Sequence, residues 1–130
     1  MLNNKDMLVN YKKNILLVDD SDTMLHILRG FFKDTQYRLI CAISGRMALS
    51  FLSKNQPDLF ILDIEMPEID GYELACKIRQ AGQNAPIIFL TGNSTKEYLE
   101  KALEVGASDF IAKPICREKL FDRINKLLAK

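Results

Sequence analysis

Several things are scarce in this chain, and each shortage narrows its chemistry. Cys41, Cys76 and Cys116 are odd in number and widely spaced, with no CxxC pair, and His26 is the single histidine. A disulfide framework and a zinc site both need more than that, so reduced thiols that fill space are expected. No apolar run approaches the roughly 20 residues needed to span a bilayer, and Met1-Leu2-Asn3-Asn4-Lys5-Asp6 is too polar for a secretion signal. The expected location is therefore cytoplasmic, with no membrane role. Charge of one sign is missing too: 18 basic against 17 acidic residues leave a net charge of +1. That balance argues against charge-driven binding of nucleic acid or of a membrane surface. There is no internal repeat and no low-complexity tract.

What remains is an ordinary globular composition, with 48% hydrophobic and 27% charged residues over 130 positions, enough for one domain with a real core. Residues 1–13 lack a sustained period and read as a leader, with one turn of structure expected around Met7 to Tyr11. From residue 14 the chain is organised by short apolar runs that end in polar residues. Leu59-Phe60-Ile61-Leu62 ends in Asp63 and a Pro-containing turn; Asn14-Ile15-Leu16-Leu17-Val18 ends in Asp19-Asp20. Pro86 to Leu90 ends in Thr91-Gly92, and Phe110-Ile111-Ala112 ends in Lys113-Pro114. Continuous apolar runs cut off by turn chemistry suit strands covered on both faces.

Helical periods fill the intervals. Ser21 or Asp20 caps a first helix with Met24, Leu25, Leu28, Phe31 and Phe32 at helical spacing, and His26 on its surface. Gly30 within it is about 1 kcal/mol worse than alanine, so a close packing contact is expected there. Tyr37 to Ala42 is a second strand, and Ser44-Gly45 opens a helix with Met47, Ala48, Phe51 and Leu52 on one face. Asp70 and Glu73 form a capping-box pattern before a helix that ends at Gly82; Ser94 to Glu97 form another, with Glu97 placed to pair with Lys101. The fifth strand is expected over Ala107 to Ala112, and Arg117 to Lys130 is a last amphipathic helix with Leu120, Ile124, Leu127 and Leu128 inward.

Regular alternation of five strands and five helices predicts an α/β fold, a flavodoxin-like three-layer αβα arrangement around a five-stranded parallel sheet of order 2-1-3-4-5. In such sheets ligands bind at the carboxyl ends of the strands, and the switch point between strands 1 and 3 sets Asp19, Asp20 and Asp63 side by side. Three adjacent carboxylates repel one another unless a cation or a proton relieves them. Oxygen ligands in small number suit Mg²⁺, which favours partnership with phosphate. Lys113 neutralises one acid or a phosphoryl oxygen, and the Thr91 hydroxyl donates to a second oxygen. The set points to phosphoryl transfer with a carboxylate as nucleophile.

Val18-Asp19-Asp20-Ser21, Asp63-Ile64-Glu65-Met66-Pro67-Glu68-Ile69-Asp70-Gly71, Thr91 and Lys113-Pro114, in this order and spacing, resemble the receiver domain of bacterial response regulators, the CheY-like family. The similarity covers about residues 14 to 129, and 14–130 is taken as the receiver domain. The resemblance implies a phosphorylatable switch in which Asp63 accepts a phosphoryl group from a sensor histidine kinase or a histidine phosphotransfer protein. It implies Mg²⁺ held by Asp20 and Asp63, by Asp19 mainly through water, and by the backbone carbonyl of Glu65. Thr91 and Lys113 would hold phosphoryl oxygens, and Thr91 would be coupled to rotation of Phe110. The Lys113-Pro114 bond resembles one that the family keeps cis. Glu65 and Asn93 stand where relatives tune dephosphorylation, and Met24 and Leu25 where relatives meet their phosphodonor. One departure is Gly92 after Thr91, where many relatives carry alanine. A downstream protein target would read helix 4, strand 5 and helix 5, here with Lys96, Tyr98, Lys101, Arg117, Lys119 and Arg123.

Three other functions compete. A small Mg²⁺-dependent aspartyl phosphatase commonly carries Asp-x-Asp-x-Thr or Val after its first strand; Asp20-Ser21-Asp22-Thr23-Met24 sets the threonine one residue early, and no cap domain fits. A flavodoxin-like cofactor binder lacks its Gly-rich phosphate loop here, where acids would repel the anion. An adaptor that is never phosphorylated would have no use for the intact acid set.

Overall fold

In the computed structural model, residues 12–129 are described, so most of the leader, including the turn expected around Met7 to Tyr11, lies outside the described residues. Strands β1 (Lys13–Val18), β2 (Tyr37–Ala42), β3 (Leu59–Asp63), β4 (Ile87–Thr91) and β5 (Asp109–Ala112) alternate with helices α1 (Asp22–Phe32), α2 (Gly45–Leu52), α3 (Gly71–Gln80), α4 (Lys96–Glu104) and α5 (Arg117–Leu128). All strand pairs are parallel and the order is β2-β1-β3-β4-β5, as the alternation required.

The central strands are buried on both faces, which is why they read as unbroken apolar runs. Leu16, Val18, Phe60 and Leu62 meet Ala48, Leu74, Ala75, Ile78 and Ala102 from α2, α3 and α4. Ile15, Leu17, Leu59 and Ile61 meet Leu25, Leu28, Phe32, Leu120 and Ile124 from α1 and α5. Two helices on one face and three on the other fix the connections and bring all five strand ends to one rim.

Local chemistry sets the helix starts. The Ser21 hydroxyl accepts from the Met24 N–H at 3.2 Å, the Ser44 hydroxyl from Met47 at 3.1 Å, and Asp70 Oδ1 from Glu73 at 2.9 Å. Helix α4 departs from expectation. Thr95, not Ser94, is its N-cap and makes no side-chain cap bond; the Asn93 side chain accepts from the Thr95 N–H at 3.1 Å. Lys101 does not form the expected pair with Glu97 among the described residues; its ammonium lies 4.7 Å from the centre of the Tyr72 ring.

Other expectations also need correction. Strand β5 starts at Asp109 rather than Ala107, since Ala107 still serves the α4 terminus through its N–H to the Ala102 carbonyl. Met47 is 46% exposed, because the eight-residue α2 packs into the core through Ala48, while Gly45 lies against Ile69. Gly30 makes no close packing contact: a Cβ there would meet nothing within 4 Å.

Candidate functional site

Asp63 is the last residue of β3, and the register that pairs Val18 with Leu62 places it beside the residues that follow β1. Ligand oxygens of Asp19, Asp20 and Asp63 all lie within 4.8 Å of one another. Asp19 is fully buried and Asp63 is 4% exposed, whereas Asp20 faces solvent. The Ser21 N–H donates to Asp19 Oδ1 at 2.9 Å, an arrangement that fixes the carboxylate two residues upstream. Lys113 reaches across from the end of β5 and donates from Nζ to Asp63 Oδ1 at 3.0 Å, with Asp19 Oδ2 3.8 Å away.

One cation does not balance three acids. Burial pushes the Asp63 carboxyl up to about 6, Asp19 beside it adds to the rise, and the hydrogen bond and charge of Lys113 restrain it. Asp19 is also raised, chiefly by burial, against the Ser21 N–H and Lys113, which favour its charged form. Asp19 Oδ2 is buried without a hydrogen-bond partner. An all-oxygen donor set, in which burial resists ionisation of Asp19 and Asp63 and Asp19 holds an unsatisfied buried oxygen, fits a small hard cation such as Mg²⁺.

Thr91 closes β4 and is 1% exposed. Its hydroxyl donates to the Asn93 carbonyl and accepts from the Asn93 N–H, both at 2.9 Å. Sequence reasoning placed Thr91 correctly at the rim but missed this tie, for which the polar run after β4 was the only signal. Phe110 on β5 is half-buried and packs at the edge of the core. Glu65 is exposed and lines a cavity of about 550 Å³ with Met66, Pro67, Tyr72, Tyr98 and Lys101. The Lys113-Pro114 peptide bond is cis.

Gly71 stood out in the sequence only as the last residue of the motif over residues 63–71, yet its missing Cβ is what lets the start of α3 lie against the end of β3. A Cβ there would stand 2.4 Å from the Asp63 carbonyl oxygen and 2.8 Å from the Ile64 Cα, and the Gly71 N–H donates to the Ile64 carbonyl at 2.8 Å. Backbone cannot yield as a flexible side chain does. Gly71→Ala is expected to destabilise the fold by roughly 1–3 kcal/mol in urea denaturation, within the usual range for overpacking. Wild-type stability in that variant would show that the turn relaxes freely.

Residues 15–125 match the family model described as the response regulator receiver domain. The chain belongs to that family. Response regulator SaeR of Staphylococcus aureus is 34% identical over 117 residues, which cover 90% of this chain and 51% of that protein. The chain thus spans about half the length of the curated relatives it matches. The chemotaxis protein CheY4 of Vibrio cholerae has 29% identity and a TM-score of 0.86, over 91% of this chain and 100% of that one. The signal receiver domain of a signal transduction histidine kinase from Syntrophus aciditrophicus has 38% identity and a TM-score of 0.80, over 90% of each chain. The chain is therefore a receiver domain of the two-component response regulator family with a CheY-like flavodoxin fold. No described helix is long and apolar enough to cross a membrane.

Proposed function

We propose that residues 14–130 act as a switch in which Asp63 accepts the phosphoryl group of a phosphohistidine on a sensor histidine kinase or phosphotransfer protein. A carboxylate oxygen of Asp63 forms the new P–O bond while the P–N bond breaks and its electron pair stays on the imidazole nitrogen. Asp19, Asp20, Asp63 and the Glu65 carbonyl hold Mg²⁺. When bound, the ion neutralises charge on the phosphoryl oxygens and favours the ionised form of Asp63. Lys113 exchanges its bond to Asp63 for one to a phosphoryl oxygen. Thr91 leaves Asn93 and donates to another, and Phe110 fills the space this opens. The modified domain is read on α4, β5 and α5, through Lys96, Tyr98, Lys101, Arg117, Lys119 and Arg123.

The observation that carries this reading is the buried Asp63 carboxylate at a strand end, crowded by Asp19 and bonded to Lys113 at 3.0 Å. Its test is intact-mass spectrometry after incubation with acetyl phosphate and Mg²⁺. A single added phosphoryl group, absent with EDTA and absent in Asp63→Asn, is the expected outcome; an unmodified wild type would overturn the assignment. Asp20→Asn is expected to reduce Mg²⁺-dependent labelling by at least about tenfold. Because Asp20 is a like charge that raises both Asp19 and Asp63, its removal should leave metal-free stability at pH 7 no lower than that of the wild type.

A further inference from the structure

The flank of α1 that faces edge strand β2 carries its own pattern. His26, Arg29, Gly30 and Lys33 recur there at three- and four-residue spacing, and with Phe32 and Leu39 they line an open groove of about 440 Å³. Among the described residues no carboxylate lies within ion-pair distance of Arg29 or Lys33, as holds for most lysines and arginines there, and Arg29 also lies against the Cys41 thiol. The groove runs toward the C-terminal end of α1, away from Asp19 and Asp20, since the chain returns along this helix from the end of β1 to the start of β2.

Gly30 supplies the second observation. Glycine in a helix interior is destabilising relative to alanine, and internal packing or a positive φ usually accounts for keeping one. Neither applies: the position is helical, exposed, and open to any Cβ. What a side chain at Gly30 would obstruct is the groove itself.

We propose that this groove docks an acidic segment of a partner polypeptide. Its carboxylates meet Arg29 and Lys33, its backbone lies close over Gly30, and one apolar side chain rests on Leu39 and Phe32. Arg29 and Lys33, set along one groove with His26, give the charge complementarity, and the apolar floor favours a peptide over a polyanion. Nucleic acid is instead held by broad basic surfaces, wider than the Arg29 and Lys33 pair of this groove. The site is independent of phosphoryl transfer.

The test is a nuclear magnetic resonance titration of the ¹⁵N-labelled full chain with a short synthetic peptide of glutamates interrupted by single leucines. Saturable shifts confined to amides of residues 26–33 and 38–41 are expected. The double variant Arg29→Glu/Lys33→Glu should weaken binding at least about tenfold. Gly30→Gln, which improves helix propensity, should raise the melting temperature yet weaken binding at least about fivefold. Labelling by acetyl phosphate should persist in both, so failure here and failure of the Asp63 assignment are separable. Shifts spread over the whole surface would overturn the proposal. So would Gly30→Gln binding as well as wild type, or a single-stranded oligonucleotide binding the same amides more tightly than the peptide.

Discussion

Asp63→Asn is expected to melt several degrees higher than the wild type in metal-free buffer at pH 7, while losing phosphorylation completely. Asp63 is 4% exposed and its carboxyl is pushed up to about 6, first by burial and then by Asp19, from an unfolded value of 3.8. Between those values the unfolded chain has released the proton that the folded chain still holds. The folded state binds more protons there, so stability falls as pH rises through this window and stays low above it. At about 1.4 kcal/mol per unit, a shift of this size costs the wild type roughly 1–3 kcal/mol at neutral pH. Asparagine carries no charge to desolvate, and its Oδ1 still accepts from Lys113. The gain should fade as pH falls below the unfolded value of 3.8, where Asp63 becomes neutral in both states. Urea denaturation of both proteins across this range measures it. A pH-independent difference, or a less stable variant at pH 7, would show that burial does not hinder Asp63 ionisation.

This opposition between stability and function explains how much was legible in advance. Buried parallel strands must be apolar along their whole length, so an acid closing such a run stands out, and β1 and β3 could be aligned from their endings alone. The 2-1-3-4-5 order followed from alternation and handedness. Periodicity marks the centre of a helical face more reliably than its width. It therefore placed Leu25 and Leu28 correctly but took Met47 for an inward residue. Interactions made only in the folded chain left no trace. The Tyr72 hydroxyl donates to the Tyr98 carbonyl at 3.1 Å, and Lys101 turns to the Tyr72 ring; both join α3 to α4 across 26 or more residues of sequence. The Thr91 tie to Asn93 is local, yet the sequence suits capping just as well.

Lys113→Met is expected to act in the opposite sense to Asp63→Asn, since it removes the one cation among the described residues that faces two buried carboxylates. Methionine keeps most of the apolar stem, so the charge is the principal loss. Breaking one side of a fully buried pair costs about 3–5 kcal/mol, but the Lys113 side chain is 26% exposed and water screens part of the effect. A metal-free loss of roughly 1–3 kcal/mol at pH 7 to 8 follows. The carboxyls of Asp19 and Asp63, already raised, should rise further, and the deficit should shrink as pH falls and protons replace the missing cation. Mg²⁺ should recover more stability in the variant than in the wild type, because a ligand that binds only the folded state stabilises it by mass action, and Lys113 no longer competes for the same oxygens. Labelling by acetyl phosphate should fall by at least about tenfold even with saturating Mg²⁺, since a donor to the transferring group is gone. Thermal denaturation over a Mg²⁺ titration, with intact-mass labelling in parallel, separates the two effects. If metal-free Lys113→Met were as stable as wild type, the acids would be relieved by protons alone, and the 3.0 Å contact would contribute nothing to holding the site together.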